Sequence, residues 1–389
     1  MQSRSRPGFT LIEMMVAMAL TLFVMVILSQ AFILSLEAFS QLKGIGDMQS
    51  NLRTAENLLR DDLSQDHFEG KRRLSDRTLT GGSQLVAFPP QEGFLAVARF
   101  SACDFSGTPG SPFVYEGDDV NGMSSFRAFN HVLYMSVKRK GNQQENFFTA
   151  SLVGAPADLA TFFSSQTAYN TAPGNLATST LTTPYSGGPS AFYGSQWAEV
   201  LYYLVRIGST EEPSNPASTM GTPTFALYRA QFVMVPNGTN LAGKFGNGLE
   251  LTTFQGLSCN PSAGGLVFNS PADVAKGQRV LPDISTFAPG FVVPPGPSRL
   301  INGNFAVRET LVLPNVVSFQ VQTMNLSDAV FDDMPPVAPG TLNSPYLYDT
   351  TKFGVAGYAT NGLKGIRVTL RVWDNKTRQT RQVSVVQDL

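Results

Sequence analysis

Cysteine and histidine are both scarce in this 389-residue chain, which contains two of each. The histidines, His67 and His131, show no metal-ligand spacing and are expected to be structural. Cys103 and Cys259 lack the C-x-x-C spacing of zinc sites and thioredoxin-like centres. The two cysteines could form a disulfide in an oxidising compartment, whereas in the cytosol they would stay reduced. Because metal-ligating residues are so few, the sequence is predicted to bind no metal and no cofactor.

Charged residues are also scarce. They make up 15% of the chain, and the net charge is −1. This balance provides no electrostatic attraction for nucleic acid, so no nucleic-acid partner is expected. The chain also lacks a G-x-S-x-G element, a P-loop and a dinucleotide-binding glycine motif, and an enzymatic function is therefore not predicted. The segment Glu116–Asn121 could supply oxygen ligands to calcium. It lacks the EF-hand spacing, which favours a solvated turn.

The one long hydrophobic run lies near the N-terminus, where no charged residue occurs from Met14 to Leu36. A helix needs about 20 apolar residues to cross the hydrocarbon core of a bilayer, and this run is long enough. Arg4 and Arg6 precede it, so the positive-inside rule places the N-terminus in the cytoplasm. Residues 9–36 are predicted to form a transmembrane helix, with the domain that follows exported.

A single acidic residue, Glu13, interrupts the apolar sequence that begins at Phe9. A carboxylate at membrane depth costs about 2.5–3.5 kcal/mol on insertion scales, which makes Glu13 a candidate functional residue. The alternative interpretation is that Glu13 lies at the headgroup boundary, where the cost is small.

The surrounding sequence SRPGFTLIEMMVAM resembles the leader motif of type IV prepilins. The resemblance implies that residues 1–8 are a leader peptide, that a prepilin peptidase cuts after Gly8, and that Phe9 becomes the methylated N-terminus. It also implies that Glu13 is an assembly residue, which pairs with the Phe9 amine of a neighbouring subunit. Two alternatives are an ordinary secretory signal, with a weak small-x-small site at Ser29–Ala31, and a plain single-pass anchor. Glu13 and the length of the apolar run argue against the first.

A helical pattern continues beyond the predicted transmembrane segment as an amphipathic extension over residues 37–69. Its apolar stripe comprises Leu42, Ile45, Met48, Leu52, Ala55, Leu59 and Leu63. Gly70 is a candidate C-cap, and Gly44 and Gly46 are either a hinge or a tolerated weak point. The stretch from Asn51 to Asp66 resembles the corresponding helix of large minor pilins, the PilW-like and J-type pseudopilin group. Arg60, Asp61, Asp62, Leu63 and Gln65 carry that resemblance.

Residues 70–389 read as a β-rich domain, so the predicted fold class is α+β, with a long N-terminal helix packed on an antiparallel sheet. The candidate strands are 85–88, 94–99, 132–138, 200–207, 225–235, 305–313, 316–324, 366–373 and 382–386. The last two flank Asn375-Lys376-Thr377 and predict a hairpin. Stretches rich in Gly, Pro, Ser and Thr predict loop insertions near 150–197, 208–223 and 256–300.

These features together predict a minor pilin or pseudopilin that assembles into a type IV pilus or a type II secretion pseudopilus, at the tip or as an initiator. The resemblance implies four kinds of partner: a prepilin peptidase, an inner-membrane assembly platform, other minor subunits and a major pilin. The expected location is the inner membrane, and later a periplasmic or cell-surface filament.

The alternative is an adhesin or substrate-binding module that uses a pilin stem. Its contacts would lie in the insertion loops, where Tyr185, Phe192, Tyr193 and Trp197 are candidate residues.

Overall fold

The architecture combines one very long helix with a large antiparallel sheet, and the predicted α+β class is confirmed. The computed structural model describes residues 10–75, 89–99, 114–118, 124–129, 131–141, 146–151, 192–218, 220–235, 256–262, 265–281, 300–301, 305–306, 309–326, 330–331, 346–353 and 362–389. The predicted strand over residues 85–88 lies outside these ranges.

Helix α1 runs from Leu11 to Ser64, 54 residues without a break. At about 1.5 Å per residue it is roughly 80 Å long. The predicted end near Glu69 is wrong, because Gln65 already has extended backbone angles and caps the helix. The next residue, Asp66, accepts a hydrogen bond through its carbonyl from the Lys138 amide at 2.8 Å. The chain therefore leaves the helix to bond to the sheet, and Gly70 falls in a later 3-10 turn rather than at the cap.

Only the second half of α1 packs on the domain. Every side chain from residue 10 to residue 43 is exposed, including Leu42 of the predicted apolar stripe. The residues of α1 that become buried share one face and are Gly44, Met48, Leu52, Ala55, Leu59, Asp62 and Leu63. The packed face of the helix thus begins about one turn later than the sequence pattern suggests.

The main sheet contains eight antiparallel strands. Their bounds are β1 Leu95–Arg99, β4 His131–Lys138, β7 Trp197–Ser209, β8 Pro223–Val233, β13 Glu309–Asn325, β14 Tyr346–Asp349, β15 Leu363–Asp374 and β16 Gln379–Asp388. Across the sheet they lie in the order β14-β1-β4-β7-β8-β13-β15-β16. The predicted C-terminal hairpin is confirmed, since β15 and β16 pair over their length around a turn at residues 375–378.

Strand β13 replaces two predicted strands with one. The sequence suggests a break near Pro314, but the chain passes it with shifts in register at Leu313 and Val316. Asn315 makes the passage with φ 55°, a left-handed conformation that asparagine tolerates better than most residues. The strand therefore bends and continues, and it pairs first with β8 and then with β15.

The bend in β13 curls the sheet. Beyond it, the Phe319 amide donates to the Ala128 carbonyl at 2.7 Å, and the Val321 amide donates to His131 Nδ1 at 3.0 Å. These bonds tie β13 to the chain that enters β4, so two strands separated in the sheet order by β7 and β8 come together.

Small elements surround the main sheet. The short strands are β2 Val114–Asp118, β3 Ser124–Arg127, β5 Phe148–Ser151, β6 Phe192–Ser195, β9 Cys259–Ser262, β10 Gly265–Phe268, β11 Leu300–Ile301 and β12 Phe305–Ala306. They pair as β2 with β3, β5 with β6, β9 with β10 and β11 with β12. A second helix, α2, spans Pro271–Ala275.

Residues 256–281, which contain β9, β10 and α2, form a unit that we call the cap. On β7, Tyr202 contacts Asp62 of α1, whereas Glu199 contacts Ser258 and Val280 of the cap. Residues three apart on a strand point to opposite faces. The cap therefore covers the face of the sheet opposite to α1, and this part of the predicted 256–300 insertion has regular structure. The loop between β7 and β8 is also ordered around bonds such as Thr210 N to Thr222 O at 2.8 Å.

Candidate functional site

The predicted processing and assembly residues lie at the start of α1. Gly8 and Phe9 are outside the described residues, which begin with Thr10. Thr10 is the N-cap, with extended backbone angles, and Glu13 is the N3 residue in the first helical turn. The structure thus places Glu13 in the first turn of α1, which we call the stem, four residues after the predicted new N-terminus in the sequence.

Glu13 is held by a capping box. Its Oε2 accepts from the Thr10 amide at 2.9 Å and from Thr10 Oγ1 at 3.0 Å, while the Glu13 amide donates to Thr10 Oγ1 at 3.4 Å. A capping box satisfies donors that a helix otherwise leaves unpaired. A carboxylate in the first turn also interacts favourably with the helix dipole, by about 0.3–1 kcal/mol. Thr10 was not among the predicted site residues, although the T-x-x-E spacing of Thr10 and Glu13 is the usual sequence signal of a capping box.

The first part of α1 presents an unusually apolar surface. Its large hydrophobic side chains, from Leu11 to Leu42, are all at least 45% exposed. Two of the four hydroxyl side chains in this stretch donate to their own helix, Thr21 to the Ala17 carbonyl and Ser35 to the Ala31 carbonyl. The helix is long and apolar enough to cross a membrane, and none of its most apolar window is buried against the domain. This segment therefore requires an apolar environment that the described part of the chain does not provide.

At its other end, α1 is fixed to the sheet by a buried ionic network. Asp62 accepts from Arg229 Nε at 2.7 Å and Nη2 at 3.0 Å, and from the Tyr202 hydroxyl at 2.5 Å. The side chains of Asp62 and Arg229 are only 1% and 9% exposed. Against the effect of burial, the Asp62 carboxylate raises the pKa of Arg229, and burial beside Asp62 raises the pKa of Tyr202. We refer to Asp62, Tyr202 and Arg229 as the stem lock.

The stem lock gives a physical role to part of the stretch from Asn51 to Asp66. Asp62 and Leu63 are buried, whereas Arg60 is exposed and pairs with Glu56 along the helix at 2.7 Å. Gln65 Nε2 donates to Asp61 at 3.4 Å, also near the surface. Only one carboxylate of the Asp61-Asp62 pair thus anchors the helix, and its partners are distant in sequence.

Both histidines are structural in the described surroundings. His67 is buried, with Nδ1 2.7 Å from the Ser136 carbonyl and Nε2 3.2 Å from the Leu63 carbonyl, and burial lowers its pKa. His131 is fully buried against Val321. Among the residues that the structure describes, no group of three or more His, Cys, Asp or Glu side chains could hold a metal ion.

Cys259 is a free, buried thiol, and burial together with the nearby Glu199 raises its pKa to about 12. Cys103 lies outside the described residues, so its pairing with Cys259 remains a prediction. Asp119 of the candidate calcium segment and Tyr185 of the candidate binding loop are also outside them. Phe192 and Tyr193 belong to β6, and Trp197 is a buried residue of β7 rather than part of a loop.

Comparison with known proteins identifies one feature. Residues 3–29 match the family model described as the prokaryotic N-terminal methylation motif. No curated protein and no solved structure significantly matches the chain. The matched motif is typical of structural subunits rather than enzymes. It covers the predicted cleavage site, the Thr10–Glu13 box and the start of the exposed apolar helix, and it supports a type IV pilin-like protein that assembles through its N-terminal region.

Proposed function

We propose that this protein is a minor pilin or pseudopilin of a type IV pilus or a type II secretion pseudopilus, acting at the filament tip or as an initiator. The observation that carries the proposal is the methylation motif at the start of a helix whose apolar side chains are exposed over residues 11–42. At about 1.5 Å per residue, this exposed part is roughly 48 Å long, which exceeds the ~30 Å hydrocarbon core of a bilayer. The helix therefore has enough length to span the membrane and still hold the domain away from it.

In this proposal, cleavage after Gly8 creates a free amine on Phe9, next to the Thr10–Glu13 box. Before assembly, Thr10 satisfies the Glu13 carboxylate within the subunit and reduces the cost of placing it near lipid. During assembly, the carboxylate meets the amine of a neighbouring subunit. The attraction of the two charges is stronger at low dielectric than in water, and it offsets the cost of removing each of them from water. Glu13 then sets the register between adjacent helices.

Size supports a rare position in the filament. The β domain carries an eight-stranded sheet and a cap, and such bulk packs less readily along a shaft than at an end. The proposed partners are the prepilin peptidase, an inner-membrane assembly platform, other minor subunits and a major pilin. The proposed route begins with a single membrane pass and an exported domain, and it ends in a periplasmic or cell-surface filament.

Mass spectrometry of the protein from its native cells tests the processing step. We expect a mature chain that begins with N-methylated Phe9. In the Gly8→Val variant, the uncleaved precursor should accumulate instead. Recovery of an N-terminus elsewhere, for instance after Ala31, would identify an ordinary signal peptide and overturn the proposal.

Replacement of Glu13 tests the assembly step. Glu13→Ala should still insert in the membrane, because it only removes a charge from an apolar helix, but its incorporation into sheared filaments should fall by at least tenfold. Glu37→Ala is the matched control, since Glu37 is an exposed carboxylate of the same helix. Equal incorporation of Glu13→Ala and the unmodified protein would contradict the role given to Glu13.

A further inference from the structure

A second buried cluster of ionisable groups lies between the sheet and the cap, far along the chain from the proposed assembly site. Glu199 in β7 is its centre and is fully buried. The Glu199 carboxylate accepts hydrogen bonds from the hydroxyls of Tyr134 and Ser258 and from the Val280 amide, the last at 3.3 Å. Two of these three donors, Ser258 and Val280, belong to the cap. Glu199 is therefore a direct contact between the sheet and the cap.

The charges in this cluster do not balance when every group has its usual ionisation state. Among the residues that the structure describes, its buried carboxylates are Glu199 and Asp349, and its buried cation is Arg279. Arg279 bonds to both oxygens of Asp349 through its terminal nitrogens, and its Nε donates to the Leu281 carbonyl at 3.0 Å. All three guanidinium nitrogens thus have other partners, and an ionised Glu199 leaves one negative charge in excess.

Within the described ranges, the remaining groups that face Glu199 cannot remove this excess. Tyr134 of β4 and Cys259 of β9 carry no positive charge, and burial beside Glu199 raises the pKa of the Cys259 thiol to about 12. The guanidinium of Arg279 also stacks on the rings of Phe94 and Tyr134, with its central carbon 4.7 Å and 5.5 Å from the two ring centres. An uncompensated charge in such a site is costly, and proton uptake is the usual way to avoid it.

We propose that Glu199 is a proton-dependent anchor of the cap: its protonated carboxyl favours the cap docked on the sheet, and its ionisation favours local opening of residues 256–281. Opening would let water solvate the carboxylate. The cap is also attached through the Arg279–Asp349 pair, through buried apolar side chains such as Phe268 and Leu281, and through backbone bonds such as Val235 N to Asn269 O at 3.0 Å. These contacts make opening costly, and ionisation of Glu199 reduces that cost because the open state solvates the carboxylate. The cap is one segment on the face of the sheet opposite to α1, so it can open as a local unit without global unfolding.

The direction of the pH effect follows from the two states of the carboxyl. Burial raises the pKa of Glu199 from 4.5 to about 7 in the docked state, against the opposing effects of Ser258 and Arg279. In the open state the pKa returns toward its ordinary value, so the docked cap binds the proton more tightly. The stabilisation of the docked cap is complete below pH 4.5, declines as pH rises through 7, and is lost above it. This behaviour is independent of Glu13 and of filament assembly.

Hydrogen exchange of the full-length protein in detergent micelles tests the proposal. After correction for the intrinsic pH dependence of exchange, the protection factors of amides in residues 256–281 should fall on the order of a hundredfold between pH 5 and pH 8. Amides of the β15–β16 hairpin serve as the internal reference and should not follow this curve. If the protection factors of the cap amides do not change between pH 5 and pH 8, the proposal is overturned by the unmodified protein alone.

Two substitutions assign the effect to Glu199. Glu199→Gln preserves the shape of the side chain and removes its titration, so the protection of the cap should become independent of pH. Asp349→Asn frees Arg279 to neutralise Glu199, and the midpoint of the pH curve should move to lower pH. Persistence of the original curve in Glu199→Gln, or an unmoved midpoint in Asp349→Asn, would assign the pH dependence to another group and contradict the proposal.

Discussion

The two parts of helix α1 differ in how they satisfy their polar groups and where they place their apolar ones. From residue 10 to residue 43 every side chain is exposed, and the polar groups of Glu13, Thr21 and Ser35 bond to their own helix. From Gly44 to Ser64 one apolar face is buried. Asp62 in this part bonds to Tyr202 and Arg229, which lie 140 and 167 positions further along the chain. One continuous helix therefore contains a segment made for partners and a segment made for its own domain.

The stability of the fold and the capacity to assemble therefore depend on separate stretches of one element. Changes after Gly44 in the sequence should act on unfolding, and changes before Gly44 should act on insertion and assembly. Substitutions in the two stretches test that separation.

The stem lock should give the largest loss of folding stability. Asp62→Ala leaves the Arg229 guanidinium buried without its carboxylate, and such a change costs about 3–5 kcal/mol. Urea unfolding of the detergent-solubilised chain, followed by circular dichroism, measures the loss. The control is Asp61→Ala on the exposed side of the same turn, which should change the free energy of unfolding by less than about 0.5 kcal/mol.

A double replacement sharpens this test. Asp62→Ala combined with Arg229→Met removes both charges, so the double variant should be less destabilised than the sum of the two single variants. Additive losses would show that the two side chains do not depend on each other.

Leucine truncation compares the two segments directly. Leu59 is 0% exposed and Leu28 is 62% exposed in the same helix. Leu59→Ala should destabilise the domain by about 2–5 kcal/mol because it opens a cavity in the core. Leu28→Ala should leave unfolding of the domain unchanged within about 0.5 kcal/mol. The same unfolding experiment measures both, and equal losses would contradict the boundary at Gly44.

The two glycines of the stem provide the smallest and most local comparison. A Cβ atom at Gly46 meets nothing within 4 Å, whereas one at Gly44 would lie 2.9 Å from Asp374 Oδ2. Gly46→Ala should stabilise the helix by up to about 1 kcal/mol.

Gly44→Ala should gain less than Gly46→Ala or become destabilising, because Thr377 Oγ1 holds the Asp374 carboxylate at 2.7 Å. Thermal unfolding of the two variants measures the difference. A larger gain at Gly44 than at Gly46 would show that the helix does not approach the β15–β16 turn closely.

Local patterns in the sequence were sufficient to predict the structure near the two ends of the chain. A charge-free run of adequate length predicted the helix, alternating residues around a short turn predicted the β15–β16 hairpin, and the spacing of Gly8 and Glu13 indicated the methylation motif. The capping box also has a local signal, because Thr10 and Glu13 are three residues apart, but Thr10 was not among the predicted residues.

The remaining features depend on contacts that no local pattern contains. Asp62 and Arg229 are separated by 167 residues, and nothing near either one indicates the other. Separate strands were predicted over residues 305–313 and 316–324, but pairing with β8 before the bend and with β15 after it keeps β13 continuous. The helix end was misplaced because the bond between Asp66 and Lys138 draws the chain into the sheet before its helical pattern ends.

The contacts of α1 with the β domain at Gly44 and at Asp62 have a mechanical consequence. They lie 18 residues apart on one unbroken helix, a distance of about 27 Å. A rod supported at two well-separated points resists tilting far better than one supported at a single point, because any sideways force must work against a long lever arm. A force applied at Glu13 would therefore reach the β domain as torque on a rigid shaft, and the orientation of the domain would follow the orientation of the helix.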